Sequence, residues 1–521
     1  MRKLIYLYVL IFSVVKGEYL STNGEMSLFY DTNINRLKYI RGDIFQLLNI
    51  SQMGIYFHRD GQFYSMDEGV YEQKVIGTNI LELRYVIDGC EVVTTIFQSM
   101  EENNNLYIKT DTSKLKWNEK FEVIYMFSPI KEASYADLDS DGYVYDDKIR
   151  FKSQTNRSRL FIATPGDFYK LEMIPVETKI KKSAGERLYL FSQIDNKNTG
   201  DKVIFHFGHS KILQNKSNGN IQSEINFWKE YNKKYKGYDE IDLKQLEFLK
   251  VLNKNYLIPE EIAYSISLPS YNDRLKIAYI SSVFGNNQLS EQLVKELLYK
   301  RKNDIETIKY YTYLFNLLNL NIFRIEDKFF KSKIVPEIDS VLRRTLNDEN
   351  PIETEQQLDE AYSVWELLKI YRKYYKYSDL KDEIDLYFEV LRERIKLKVD
   401  SLNGGIYNLN YVKYLNVFPE EFKRDILIKI YENHYDKKLG VLKTSKEQNI
   451  NIENNLEYIL ELYKNGMGIE GDKLFNRIKQ LIKENNNYLV PELKNNGKNY
   501  IGVYTNPLYL YLRIVQYRGM Q

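Results

Sequence analysis

A carboxylate set after a proline and inside a short apolar run stands out in "YLVPELKNNGKNYIGVYTNP". It is Glu492, close to the C-terminal end of the sequence. A carboxylate in such a setting can hold or accept a proton during catalysis, or simply precede a helix on the surface. A second acidic phrase, "DLDSDGYVYDDK", places Asp137, Asp139, Asp141 and Gly142 like the first half of a calcium loop. Its twelfth position is Lys148 instead of a bidentate glutamate, and its flanks read as strands, so the phrase reads as a turn. His206 and His209, three apart in a strand-like run, point to opposite faces and make a poor metal pair; His58 and His434 are isolated. Cys90 is the one cysteine, which excludes an intrachain disulfide and a cysteine-based zinc cluster. No glycine-rich phosphate loop or nucleophile elbow occurs. The residues predict neither a cofactor nor a metal.

Two kinds of element must position any such site. From about residue 25 to 210, runs such as "NILELRYVID", "EVVTTIFQSM" and "FEVIYMFSPI" alternate apolar and polar residues and are rich in β-branched and aromatic side chains. They predict the strands of an antiparallel β-sandwich. From about residue 221 the spacing turns helical, in "LDEAYSVWELLKIYRKYY", "NNLEYILELYKNG" and similar runs. About a dozen helices joined by short Gly- or Asn-bearing turns are expected. An alternating set of this kind closes well as an (α/α)6-barrel, and the alternative is an open solenoid. The domain expectation is a signal peptide over 1–17, a β-sandwich over 18–214, a linker over 215–238 and an α/α barrel over 239–521.

The leader expectation rests on Arg2 and Lys3 followed by an uncharged apolar run from Leu4 to Val15, with Val15 and Gly17 small enough for the positions before a cleavage site. It implies a secreted, cell-surface or periplasmic protein. The run falls short of the ~20 residues of a membrane span, and no stable membrane span is expected elsewhere. Net charge is +2, from 74 basic and 72 acidic residues spread along 521 positions, so no field favours nucleic acid. Trp is scarce, at 3, against 46 Tyr.

The order of a β-sandwich followed by a ring of helices, with the phrases "STNGEMSLFYDTNINRLKYI", "SLNGGIYNLNYVKYLNVFPEEFKRDILIKIYENHYDKKLGVLK" and "NNLEYILELYKNGMGIEGDKLFNRIKQLI", resembles the prokaryotic glucoamylases of glycoside hydrolase family 15. The resemblance runs from Tyr19 onward. It implies an inverting α-glycoside hydrolase releasing terminal glucose from α-glucans or oligosaccharides, with carbohydrate as partner. Inversion needs an acid and a base carboxyl ~6.5–9.5 Å apart. The family's Pro-Glu-Gln phrase falls on Pro491, Glu492 and Leu493, which makes Glu492 the base. Its Trp-Glu-Glu phrase falls on Ile352 and Glu353, which makes Glu353 the acid, with Glu355 as the neighbouring alternative and Ile352 as part of an apolar wall. Its sugar-holding phrase falls on "LPSYNDRL": Asp273 takes the Asp position, Asn272 stands where Arg belongs, and Arg274 is one place late. Tyr271, Tyr407, Tyr411, Tyr500 and Tyr504 are the aromatics available to replace the family's tryptophans. These departures leave a second implication, a carbohydrate-binding or surface protein on the same scaffold that has lost turnover.

Overall fold

The computed structural model describes residues 18–22, 27–31, 35–41, 50–100, 105–116, 121–129, 136–139, 142–145, 149–153, 159–163, 189–195, 203–208, 220–252, 258–261, 265–267, 271–320, 325–346, 351–374, 377–402, 404–443, 449–484, 493–495, 498–500 and 505–520. The leader expected over 1–17, Glu492, Tyr504, Asp141, Lys148 and His209 lie outside them. The chain divides into two compact units, Met1–Leu257 with Lys483–Tyr488, and Ile258–Ile482 with Leu489–Gln521.

The first unit holds two eight-stranded antiparallel sheets. One runs in the order Glu18–Thr22, Ser27–Asp31, Arg36–Arg41, Ile50–Arg59, Glu122–Pro129, Tyr189–Asp195 and Arg159–Ala163, with Gln62–Ser65 also paired to Ile50–Arg59. The other runs Ala136–Asp139, Gly142–Tyr145, Ile149–Ser153, Val203–Gly208, Asn105–Asp111, Cys90–Gln98, Ile80–Ile87 and Val70–Ile76. Alternation decides which face is buried. Met53, Ile55, Phe57, Val123, Tyr125 and Phe127 of the first sheet meet Leu81, Leu83, Tyr85, Val92, Ile96 and Ile108 of the second in one core. A chain of buried hydroxyls runs through this core, from Tyr85 to Thr94 (2.8 Å), Thr94 to Thr110 (3.0 Å) and Thr110 to Tyr125 (2.7 Å), so each polar atom is satisfied. The acidic phrase from Asp137 forms a hairpin in which Asp139 pairs with Gly142.

The stretch read as a linker carries helix α1 (Ile221–Lys233), followed by α2 (Glu240–Leu252). Both belong to the first unit. Ile221 and Ile225 cover Ile80, Phe97 and Tyr107 on the second sheet. Glu224, 6% exposed, accepts hydrogen bonds from Asn79 Nδ2 (3.0 Å), Ser99 Oγ (2.9 Å) and the Met100 amide (3.2 Å). The Trp228 indole N–H donates to Asn79 Oδ1 (2.7 Å). Removing the carboxylate strands these buried donors, each worth ~1–3 kcal/mol when unpaired. Glu224→Ala is therefore expected to lower the urea-unfolding free energy by roughly 2–4 kcal/mol, and Glu224→Gln by less, because an amide oxygen still accepts.

The second unit is helical. Its helices are α3 (Tyr271–Val283), α4 (Asn287–Leu298), α5 (Asp304–Asn319), α6 (Val335–Leu346), α7 (Glu355–Tyr371), α8 (Lys381–Ser401), α9 (Glu420–His434), α10 (Ile452–Lys464), α11 (Gly468–Glu484) and α12 (Thr505–Met520). A 3-10 segment, Leu409–Val417, stands between α8 and α9. The chain enters it through "NGG", where Gly404 and Gly405 have φ of 80° and 53°, a reversal that side chains resist. Asn303, Thr354 and Asn451 cap α5, α7 and α10 through their side chains, and Thr354 forms a reciprocal capping box with Gln357. Among the described residues no helix is long and apolar enough to cross a membrane.

The packing partners define two sets of elements. Helix α3 packs on α5, α5 on α7, α10 on the 3-10 segment, α10 on α12, and α12 on α3. Helix α7 joins the 3-10 segment through side chains: Tyr411 to Glu355, Tyr414 to Asp359 and Asn416 to Tyr362. Every second element thus contacts the next of its own set, and the last contacts the first. The intervening helices are fastened from outside this series, as in α4 on α3 and α8 on α7.

Candidate active site

Three members of this cyclic series, α7, the 3-10 segment and α10, start at one end. Their contacts advance together along the chain, Tyr411, Tyr414 and Asn416 meeting Glu355, Asp359 and Tyr362 in turn. Asn410 Oδ1 accepts from Asn454 Nδ2 (2.8 Å), joining the start of the 3-10 segment to that of α10. Asn451, the cap of α10, pairs with Leu493 in a small sheet whose third strand is Lys498–Tyr500. The residue next to Glu492 is thereby tied to the end where α7, the 3-10 segment and α10 begin.

The candidates from the α7 start separate here. Glu353 precedes the cap and is exposed. Its amide donates to Gln357 Oε1 (2.8 Å) and its carbonyl accepts from Lys398 of α8 (2.8 Å). Ile352, expected as an apolar wall, lines a cleft of about 620 Å³ with Glu360, Val364, Tyr387 and Arg394, on the α8 side of α7. Glu355 stands at the head of the opposite stripe of α7 and accepts from the Tyr411 hydroxyl (3.0 Å). The structure therefore brings together Glu355 and Tyr411, and turns the segment containing Ile352 and Glu353 toward α8.

Asp273 lies in the first turn of α3 and is 5% exposed. Tyr271 donates to the Leu297 carbonyl (3.0 Å) and Arg274 pairs with Glu296 (2.9 Å), so both fasten α3 to α4. Tyr407 is 38% exposed, with the Lys429 ammonium 4.7 Å from its ring centroid.

Sequence reading missed the middle of the inner series. Helix α10 is buried nearly all round, through Ile452, Leu456, Tyr458, Ile459, Leu460, Leu462 and Tyr463. Its charges are confined to a stripe at 453, 457, 461 and 464. That stripe is too narrow for a solvated face, where polar residues occupy most of the circumference. Helix α7 carries Glu355, Asp359, Tyr362 and Glu366 with the same period. Helix α12 is apolar from Leu508 to Val515 save for two tyrosines and Arg513. The Arg513 guanidinium lies 5.8 Å from the Tyr279 ring and 5.9 Å from the Tyr509 ring, and donates to the Tyr509 hydroxyl (2.9 Å). Tyr279 packs edge-on to Tyr313 at 6.1 Å. Aromatic faces with one polar tip and a charged donor are what a polar ring-shaped ligand requires.

Electrostatics follow from this burial. Desolvation pushes Glu366 upward, opposed by Arg513 and Lys369. Burial, reinforced by the charge of Glu453 and opposed by Lys413 and Lys276, lifts Glu457 to about 7. Tyr313 and Tyr362 are driven well above the usual phenol range, chiefly by burial.

Superposition on solved structures places this architecture. The fold is similar to that of a bacterial glucoamylase. That structure, a complex with acarbose, aligns at a TM-score of 0.65 with 8% identity, over 96% of this chain and 94% of the glucoamylase. A chain assigned as a kojibiose phosphorylase, from the human microbiome, aligns over 96% of this chain and 86% of its own at 8% identity, with a TM-score of 0.32, too low to carry weight. No protein-family model and no curated protein matches the sequence. The glucoamylase-like fold accounts for sheets followed by helices, as expected from the sequence.

Proposed function

We propose that this protein is an α-glycoside-cleaving enzyme of the glucoamylase type, releasing terminal glucose from α-glucans or oligosaccharides with inversion. One observation carries the reading: the starts of α7, the 3-10 segment and α10 meet at one end, with Glu355 on Tyr411 and Asn451 on Leu493, the residue that follows the proposed base in sequence. The cyclic series of packing partners supports an (α/α)6-barrel, with this end as its mouth and the tyrosines below it as the floor. A glycosidase of this class holds a sugar in a pocket and places two carboxyls across the scissile bond. Glu492 takes the proton of the attacking water, Asp273 holds sugar hydroxyls, and Glu355, in preference to Glu353, reaches the substrate from α7. The expected leader makes the enzyme secreted or surface-exposed, where polymeric glucans are met.

The test is turnover by the purified protein of maltooligosaccharides and trehalose, followed by proton NMR. Inversion predicts β-glucose as the first product from an α-linkage. A protein that binds these sugars without releasing glucose is the carbohydrate-binding alternative, which Asn272 in the expected Arg position favours.

A further inference from the structure

Resting on the glycosidase reading, we propose that Glu457 is the proton donor of the reaction, a role the sequence resemblance gives to the start of α7. Glu457 lies in the second turn of α10, just inside the end where Asn454 meets Asn410 and Asn451 meets Leu493. It belongs to the charged stripe of a helix otherwise packed on all sides, and is itself only partly buried.

Its isolation is the second observation. Asp359 accepts from Tyr414 (2.6 Å) and Lys413 (2.7 Å), Glu355 from Tyr411, and Glu461 from Lys464 (2.5 Å). Each of these has a structural partner. Glu457 makes no hydrogen bond or ion pair with any described residue. A partly buried carboxyl that supports nothing is costly unless it stays neutral or meets a ligand.

The surroundings favour the neutral form. On its own helix stand Glu453 and Glu461. The 3-10 segment presents Lys413 and Tyr414, and α3 presents Lys276. Helix α7 contributes Glu355, Asp359, Tyr362 and Glu366, and α12 contributes Tyr509 and Arg513. Burial outweighs the two lysines, so the carboxyl keeps its proton up to about 7. A neutral carboxyl at working pH is what a general acid needs.

In the step, the Glu457 O–H proton passes to the glycosidic oxygen as the bond from that oxygen to the anomeric carbon breaks, the electron pair staying on oxygen. Water forms the new bond to the anomeric carbon and gives its proton to the Glu492 carboxylate. Glu457 ends as carboxylate and Glu492 as acid, and exchange with solvent restores both.

The experiment compares the full-length protein with Glu457→Gln on maltotriose and on α-glucosyl fluoride. Fluoride departs with little need of a proton. Expected are a roughly 10²- to 10⁴-fold fall in kcat on maltotriose, loss of the alkaline limb of its pH profile, and a fall of less than about tenfold on the fluoride. Equal rates of both proteins on maltotriose, or equal losses on both substrates by a variant that melts like the parent, overturn the proposal and leave the glycosidase reading standing. A parent that cleaves neither substrate removes that reading and this proposal together. If Glu457→Gln does not fold, infrared titration of the parent's carboxyl groups decides: a group ionising near 7 that is absent from Glu457→Asp supports the assignment, and its absence from the parent overturns it.

Discussion

A Gly77→Ala variant is expected to lose roughly 2–5 kcal/mol of unfolding free energy, a large share of the about 5–15 kcal/mol by which whole domains are held. Two effects combine. Gly77 has φ of 58°, where a Cβ meets the following carbonyl at a cost of about 1–2 kcal/mol. A methyl group there would also coincide with the indole of Trp228. The indole has no room to retreat. Its N–H is held by Asn79, its ring lies edge-on to Tyr231 at 5.7 Å, and the helix that carries it is anchored through Glu224. Over-packing of this kind adds ~1–3 kcal/mol. Urea unfolding followed by Trp fluorescence measures the loss. The same exchange in a Trp228→Ala background is expected to cost only the backbone part, about 1–2 kcal/mol, and that non-additivity assigns the remainder to the indole. Full additivity of the two substitutions refutes the steric account.

Glu492→Gln is expected to reduce kcat on maltooligosaccharides by roughly 10²- to 10⁴-fold with KM little changed. A carboxamide keeps the shape of the side chain but cannot accept the proton of the attacking water. The loss therefore appears in the chemical step and not in binding. The acidic limb of the pH profile, which reports ionisation of the base, is expected to vanish with it. Glu353→Gln provides the contrast. That side chain is exposed, and the segment is held through its main chain by Gln357 and Lys398, which the substitution leaves in place, so turnover should stay within a few-fold of the parent. Parent-like hydrolysis by Glu492→Gln removes this residue from the role of base.

Much of the architecture was legible in the residues because short periods report local burial. Alternation in "NILELRYVID" placed Leu81, Leu83 and Tyr85 on one face and the apolar run of "FEVIYMFSPI" marked a buried strand, and the structure joins Leu81, Leu83 and Tyr85 with Val123, Tyr125 and Phe127 in one core. The start of α7 was legible as a helix start with acidic residues, since Thr354 and Gln357 cap it through contacts only three residues apart. What local spacing did not reveal is which helices face each other. A glutamate between Leu456 and Tyr458 reads as one charged position on an amphipathic helix. Only the packing of α10 on both α12 and the 3-10 segment shows how narrow the unpacked stripe carrying it is. The contact of Glu355, and not Glu353, with Tyr411 was likewise hidden, because two residues along a helix start differ by some 200° in direction. Which of the two meets the 3-10 segment is fixed by Tyr411, more than fifty positions away in sequence. Period and capping are short-range, and the chain states them directly. Convergence of carboxyls depends on contacts between helices far apart in sequence, and those exist only once the helices pack.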